Sequence, residues 1–154
     1  MALANLIYGE AGGEGEDFMK MVGSSVMQRA YSGREFGNDI QTVINNDKSG
    51  YDAVQKNSPM YQEATSGKFR DEDSEKQWKK AFQIASGLVT GKIGFGNAQF
   101  YLTKEEIKNL QEDKTKFDFS LVHNIGKIKS KKGEEFQLFR YKDKTSLPTD
   151  SANV

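Results

Sequence analysis

The chain has 154 residues, 36% hydrophobic and 29% charged, with 22 basic side chains against 22 acidic ones. That length suits one domain, which buries roughly two thirds of its unfolded surface and needs neither disulfides nor metals to fold. With no cysteine and a single histidine, His123, thiol nucleophiles, Cys/His zinc clusters and a Ser-His-Asp triad with redundancy fall away, and no metal or cofactor is expected.

The longest apolar runs are a few residues, whereas a bilayer span needs about 20, and Met1-Ala2-Leu3-Ala4-Asn5 carries no basic stretch ahead of an apolar one. The expectation is therefore a soluble protein with no membrane span and no secretion leader, and a monomer. Charge is unevenly spread: residues 1–75 hold 7 basic and 13 acidic residues, and residues 76–154 hold 15 and 9. Such asymmetry points to a basic face directed at something anionic, or to a solvated lysine-rich surface.

Leu3, Leu6, Ile7 and Ala11 fall at helical spacing and predict a helix over 2–10, stopped by Gly12-Gly13-Glu14-Gly15. Phe18, Val22, Val26 and Ala30 recur every fourth residue behind Glu16 and Asp17, predicting an amphipathic helix that runs to Ser32-Gly33. Gly23-Ser24-Ser25 in its middle marks a face where another element packs closely. Ile40, Val43 and Ile44 predict a short helix over 39–46, and 47–73 reads as a long polar loop with one helical turn near 61–64.

Ser74 and Gln77 form a capping-box pattern before the stripe Trp78, Ala81, Phe82, Ala85, Leu88 and Val89, which predicts the central core helix up to Gly91. Thr103 and Glu106 repeat the pattern for a helix to about 112, after a tight aromatic loop over 97–102. The period then changes to two. Phe117, Phe119, Leu121, His123 and Ile125 alternate with polar residues, Lys131-Lys132-Gly133 reads as a turn, and Phe136, Leu138 and Tyr141 follow, predicting a β-hairpin over 117–142. The sum is a mainly α (α+β) domain over 1–145 with a small C-terminal antiparallel hairpin and a loose tail over 146–154.

Glu10 is the residue with the most chemical promise. A carboxylate that ends an apolar helix before a glycine turn is held at the wall of a cleft, and burial against neighbours such as Leu6 and Tyr8 would keep it protonated, as a general acid requires. Glu14 is the second carboxylate of the same string, a helix cap or a bond to the Glu10 loop if not a catalytic partner. Aromatic faces and an amide make Tyr51, Gln99 and Tyr101 candidate cleft residues; ordinary packing in the core is the other reading of each. His123, on an alternating strand, reads as structural or surface.

Tyr8-Gly9-Glu10-Ala11, Gly13-Glu14 and a helix ending in Gln28-Arg29 resemble, in order and spacing, the signature of the spore cortex-lytic (SleB-type) cell-wall hydrolases. Asp39-Ile40 with Val43-Ile44, then Tyr51-Asp52-Ala53-Val54, and later Asn97-Ala98-Gln99-Phe100-Tyr101 extend the likeness over about residues 3–102. Gly12 stands where that family carries arginine, Gln28 where it carries asparagine and Asn97 where it carries glycine, and its closing Ile-Gly-x-His-x-Phe pattern is only echoed. The resemblance implies a lysozyme-like, goose-type/lytic transglycosylase helical fold with Glu10 as the single catalytic acid, cleaving the MurNAc–GlcNAc bond of peptidoglycan. A hydrolytic muramidase, which adds a second carboxylate about 5 to 9.5 Å away, is the alternative.

It further implies a phage lysis or virion-associated enzyme, held in the host cytoplasm or carried in the particle before it acts on the wall. Lys127, Lys129, Lys131, Lys132, Arg140, Lys142 and Lys144 against Glu134, Glu135 and Asp143 make the hairpin a candidate contact with an anionic wall polymer. Without interleaved aromatics, nucleic acid is not the expected partner. A non-enzymatic wall-binding or virion structural domain is the competing class.

Overall fold

The computed structural model describes residues 1–113, 115 and 117–142; the expected tail over 146–154, like Asp143 and Lys144 of the basic hairpin, lies outside them. Seven α-helices come first in space and mostly in sequence: α1 (Ala2–Ala11), α2 (Glu16–Ser32), α3 (Ile40–Asn45), α4 (Asp52–Gln55), α5 (Pro59–Ser66), α6 (Glu72–Thr90) and α7 (Lys104–Gln111). Strands β1 (Phe100–Leu102), β2 (Val122–Lys129) and β3 (Glu135–Tyr141) form one antiparallel sheet in the order β1-β3-β2. Among the described residues no helix is long and apolar enough to cross a membrane.

The hub is α1, not α6 as the Trp78 stripe predicts. Leu3, Ala4, Leu6, Ile7, Tyr8 and Ala11 are all buried, covering more than one face, and α1 packs against α2, α3, α4, α5 and α6. A helix apolar nearly all round sits inside a domain. By contrast α6 buries Ala81, Ile84, Ala85 and Leu88 and leaves Phe82 and Val89 exposed. Its start also lies earlier than the capping-box pattern suggests: Asp71 accepts from the Ser74 N–H at 2.7 Å, so Ser74 lies inside the first turn.

The acidic first turn and left-handed Gly33 bound α2 as expected. Gly23 is its closest point of approach, for a Cβ there would stand 2.5 Å from Leu88 Cδ1 and 2.9 Å from Ile7 Cδ1. This contact locks α1, α2 and α6 together.

The long loop expected over 47–73 is largely helical. A 3₁₀ turn at Asp47–Ser49 leads into α4 and α5, and α5 starts at Ser58, whose hydroxyl accepts from the Tyr61 N–H, with Pro59 in the first turn and Gly67 closing it. Both signals are local and legible, but the helix has only eight residues and one buried one, Ala64, so no apolar stripe announces it.

The hairpin also differs. β2 begins at Val122, and Phe117 and Phe119 precede it, Phe119 opening a 3₁₀ turn. Val122, not its neighbours in the alternating set, points to the core; Leu121 and Ile125 are 51% and 39% exposed. An irregularity in register between Asn124 and Gly126 breaks the alternation there. The aromatic loop at 97–102 contains a third strand, β1, paired with β3 through Phe100 opposite Phe139. Phe36, Phe100, Phe117, Phe119, Phe139 and Tyr141 interlock edge-on or tilted and weld the sheet to the helices.

Candidate active site

Glu10 lies in the last turn of α1, at the wall of a cavity of about 800 Å³ between the helices and the sheet. The Tyr101 hydroxyl donates to Glu10 Oε1 and the Ala53 N–H to Oε2, both at 3.4 Å, longer than a strong hydrogen bond. Burial pushes the Glu10 carboxyl up to about 7. The Ala53 and Tyr101 donors and the Arg29 cation pull it down, and the negative charge of Asp52 pushes it further up. Burial and the adjacent Glu10 raise Tyr101 well above the ordinary tyrosine range, so its hydroxyl keeps its proton and stays a donor.

The Tyr8 hydroxyl donates to Glu63 Oε1 at 3.0 Å, and Arg70 pairs with the same oxygen. That bond ties α5 to α1. Ala53, from α4, delivers the N–H that Glu10 accepts.

Arg29, only 4% exposed, lines the same cavity as Glu10. Its Nε donates to the Gln99 carbonyl and its Nη1 to the Ser49 carbonyl, each at 2.8 Å, and its guanidinium rests 4.6 to 5.1 Å from the ring centres of Phe36, Tyr51 and Phe100. A buried cation is tolerable when carbonyls and ring faces replace its water. Its charge also acts on Glu10. Arg29 is a site residue that the sequence alone does not single out. The available signal was its place on the apolar stripe, seven residues after Val22 and three after Val26.

Of the residues expected in the cleft, Tyr51 and Tyr101 line the cavity. Tyr51 is 2% exposed, and its hydroxyl shares a 2.9 Å hydrogen bond with Ser25 Oγ. Gln99 is elsewhere. It is fully buried, is not among the residues lining the cavity, and its amide oxygen accepts the Tyr141 N–H at 2.8 Å while its backbone N–H donates to the Phe139 carbonyl. Just ahead of β1, these two bonds fasten the chain to β3.

Glu14 lines the cavity and pairs with Lys132 at 3.3 Å; the residue ahead of α2 is Gly15, so Glu14 does not cap that helix. Glu35, Asp52, Glu106, Asp118 and Glu134 are the other carboxylates on the cavity wall. His123 is exposed on β2 and is not a lining residue. Sequence reasoning missed the contribution of the sheet: Glu134, Phe136 and Tyr141 of the hairpin line the same cavity as Glu10. Among the described residues no three His, Cys, Asp or Glu side chains are grouped as metal ligands would be.

A half-buried carboxylic acid with its proton near neutrality, facing a cavity with aromatic walls, can deliver a proton to a bound oxygen and take one back. Compared with known proteins, the chain matches no family model, no curated protein and no solved structure.

Proposed function

We propose that the protein is a peptidoglycan-degrading glycosidase that cleaves the MurNAc–GlcNAc β-1,4 bond as a lytic transglycosylase. The observation that carries the reading is Glu10, an acid raised to about 7 by burial in the wall of a large aromatic cavity. In this reading Glu10 protonates the leaving glycosidic oxygen and, as the carboxylate, takes the proton of the muramoyl C6 hydroxyl. That oxygen closes a 1,6-anhydro ring, and no water is consumed. Tyr101 and Ala53 hold the two carboxylate oxygens, steadying the acid between the two proton transfers. Partly exposed Tyr101 offers its ring to the sugars, and buried Tyr51 backs the cleft with its hydroxyl bonded to Ser25.

The motif likeness around Glu10 supports the same chemistry, in phage lysis or entry through the cell wall. A hydrolytic muramidase is favoured by one observation, that Asp52 lies close enough for its charge to act on Glu10, where a second carboxylate would activate water.

Mass spectrometry of muropeptides released from purified peptidoglycan tests the proposal. Anhydro-muramoyl products, lighter than reducing-end sugars by one water and absent with Glu10→Gln, are expected. Reducing-end products would replace the transglycosylase by the muramidase. Walls left intact by the wild-type protein would overturn both and leave a binding domain.

A further inference from the structure

The turn between β2 and β3 is stiffly built. Ser130 is buried, its N–H donates to the Glu134 carbonyl at 2.8 Å, the Gly133 N–H returns to the Ser130 carbonyl at 2.9 Å, and the Glu134 N–H donates to Ser130 Oγ at 3.2 Å. From this turn two bonds cross to the glycine loop that follows Glu10. The Lys131 N–H donates to the Glu14 carbonyl at 2.7 Å, and the Lys132 ammonium lies 3.3 Å from the Glu14 carboxylate. Gly15 makes the approach possible: it holds φ +96°, and a Cβ there would stand 3.3 Å from Lys131 Cβ.

This bridge parts two hollows. On one side lies the Glu10 cavity, with Glu14 and Glu134 in its wall; on the other is a smaller hollow of about 280 Å³ lined by Gly13, Gly15, Met19 and Lys131. Glu14 follows Glu10 by four residues, so the chain between them spans at most ~14 Å, and only a short run of sugars fits between the acid and the bridge.

We infer that the Glu14–Lys131–Lys132 bridge is an end-stop that makes the cleft select strand termini. One end of the glycan abuts the bridge, the bond a fixed short distance away lies over Glu10, and fragments of constant length are released. This inference rests on the glycosidase reading, and Lys131 and Lys132 are its specificity-determining residues.

The test has a binding arm and a product arm. Glu10→Gln protein is titrated with peptide-free glycan strands that carry a bulky streptavidin block at one end, at the other, or at neither. Blocking one particular end is expected to weaken binding at least about tenfold, equivalent to about 1.4 kcal/mol, while blocking the other changes little. Lys132→Ala and Lys131→Pro, each added to Glu10→Gln and checked for folding by circular dichroism and melting, are expected to shrink that difference, and Lys132→Arg to retain it. Should Lys131→Pro not fold, Lys132→Ala carries the comparison. Equal binding whichever end is blocked, or no binding of any strand, would overturn the end-stop.

In the product arm, wild-type protein on long strands is expected to release short fragments of one length from the earliest time points, and long internal fragments would overturn it. End-dependent binding without any turnover would remove the glycosidase and leave the end-stop standing; turnover with internal cutting would do the reverse.

Discussion

Glu10 concentrates the energetics of the site in one proton. Its carboxyl is raised from about 4.5 to about 7, so the folded state favours the protonated form. The stabilising contribution is complete below the unfolded value and is lost as pH climbs from about 4.5 through about 7. Above that, the ionised group costs stability, at most about 3 kcal/mol for a shift of this size. Glu10→Gln should therefore melt higher than the wild type at pH 8 and nearly alongside it at pH 4, a comparison made by calorimetry across that range.

The same proton sets the rate. Wall cleavage is expected to fall as pH rises through about 7, and two substitutions should move that limb in opposite directions. Tyr101→Phe removes a donor that favours the carboxylate, shifting the limb to higher pH; Asp52→Asn removes a charge that disfavours it, shifting the limb lower. A limb that stays put in both variants would assign the titration to another group.

At the scale of elements, helix contacts account for the glycine at position 12. A Cβ there would collide with the methyl of Met60 from α5 and crowd the Tyr8 carbonyl at 2.7 Å. Gly12→Arg should destabilise the protein by about 1–3 kcal/mol, the usual cost of overpacking, and Met60→Ala should recover part of that loss. A double-mutant cycle by urea denaturation measures the coupling. Gln28 makes a similar contact between elements, its amide donating to the Gly96 carbonyl at 2.6 Å beside Asn97.

The elements also show where local signals suffice. Thr103 and Glu106 form the reciprocal capping box their spacing predicts, because each partner is three residues from the other. At α5 the same kind of signal, Ser58-Pro59 and Gly67, was overlooked for want of an apolar stripe. β1 was hidden for a different reason: three residues make no period, and Phe100 becomes a strand only when Phe139 arrives across from it.

Across the whole molecule, the cleft is a joint product of helices and sheet, lined by Glu10 from α1 and by Phe136 and Tyr141 from β3. The basic face is separate from it: Lys127 and Lys129 are exposed on β2, at the edge of the sheet, and are not cavity residues. If that edge holds the anionic wall, co-sedimentation with purified walls should weaken as salt rises, since exposed charges are screened within about 10 Å at 0.1 M. Lys127→Ala with Lys129→Ala should flatten the salt dependence and leave the Glu10 pH profile unchanged.

Periodicity and capping are short-range, so the helices whose apolar stripes or caps lie within a few residues and the mixed α and β composition were legible in the sequence, while Glu10 stood out there through the motif it sits in. Only the tertiary structure decided that α1 is the hub, that Arg29 lines the cavity, that Gln99 is buried away from it and that the hairpin turn bonds to Glu14. Each of these depends on groups far apart in the chain, as Arg29 is from Gln99 and Glu14 from Lys132, and burial, which raises Glu10, is a property of what surrounds a residue in space.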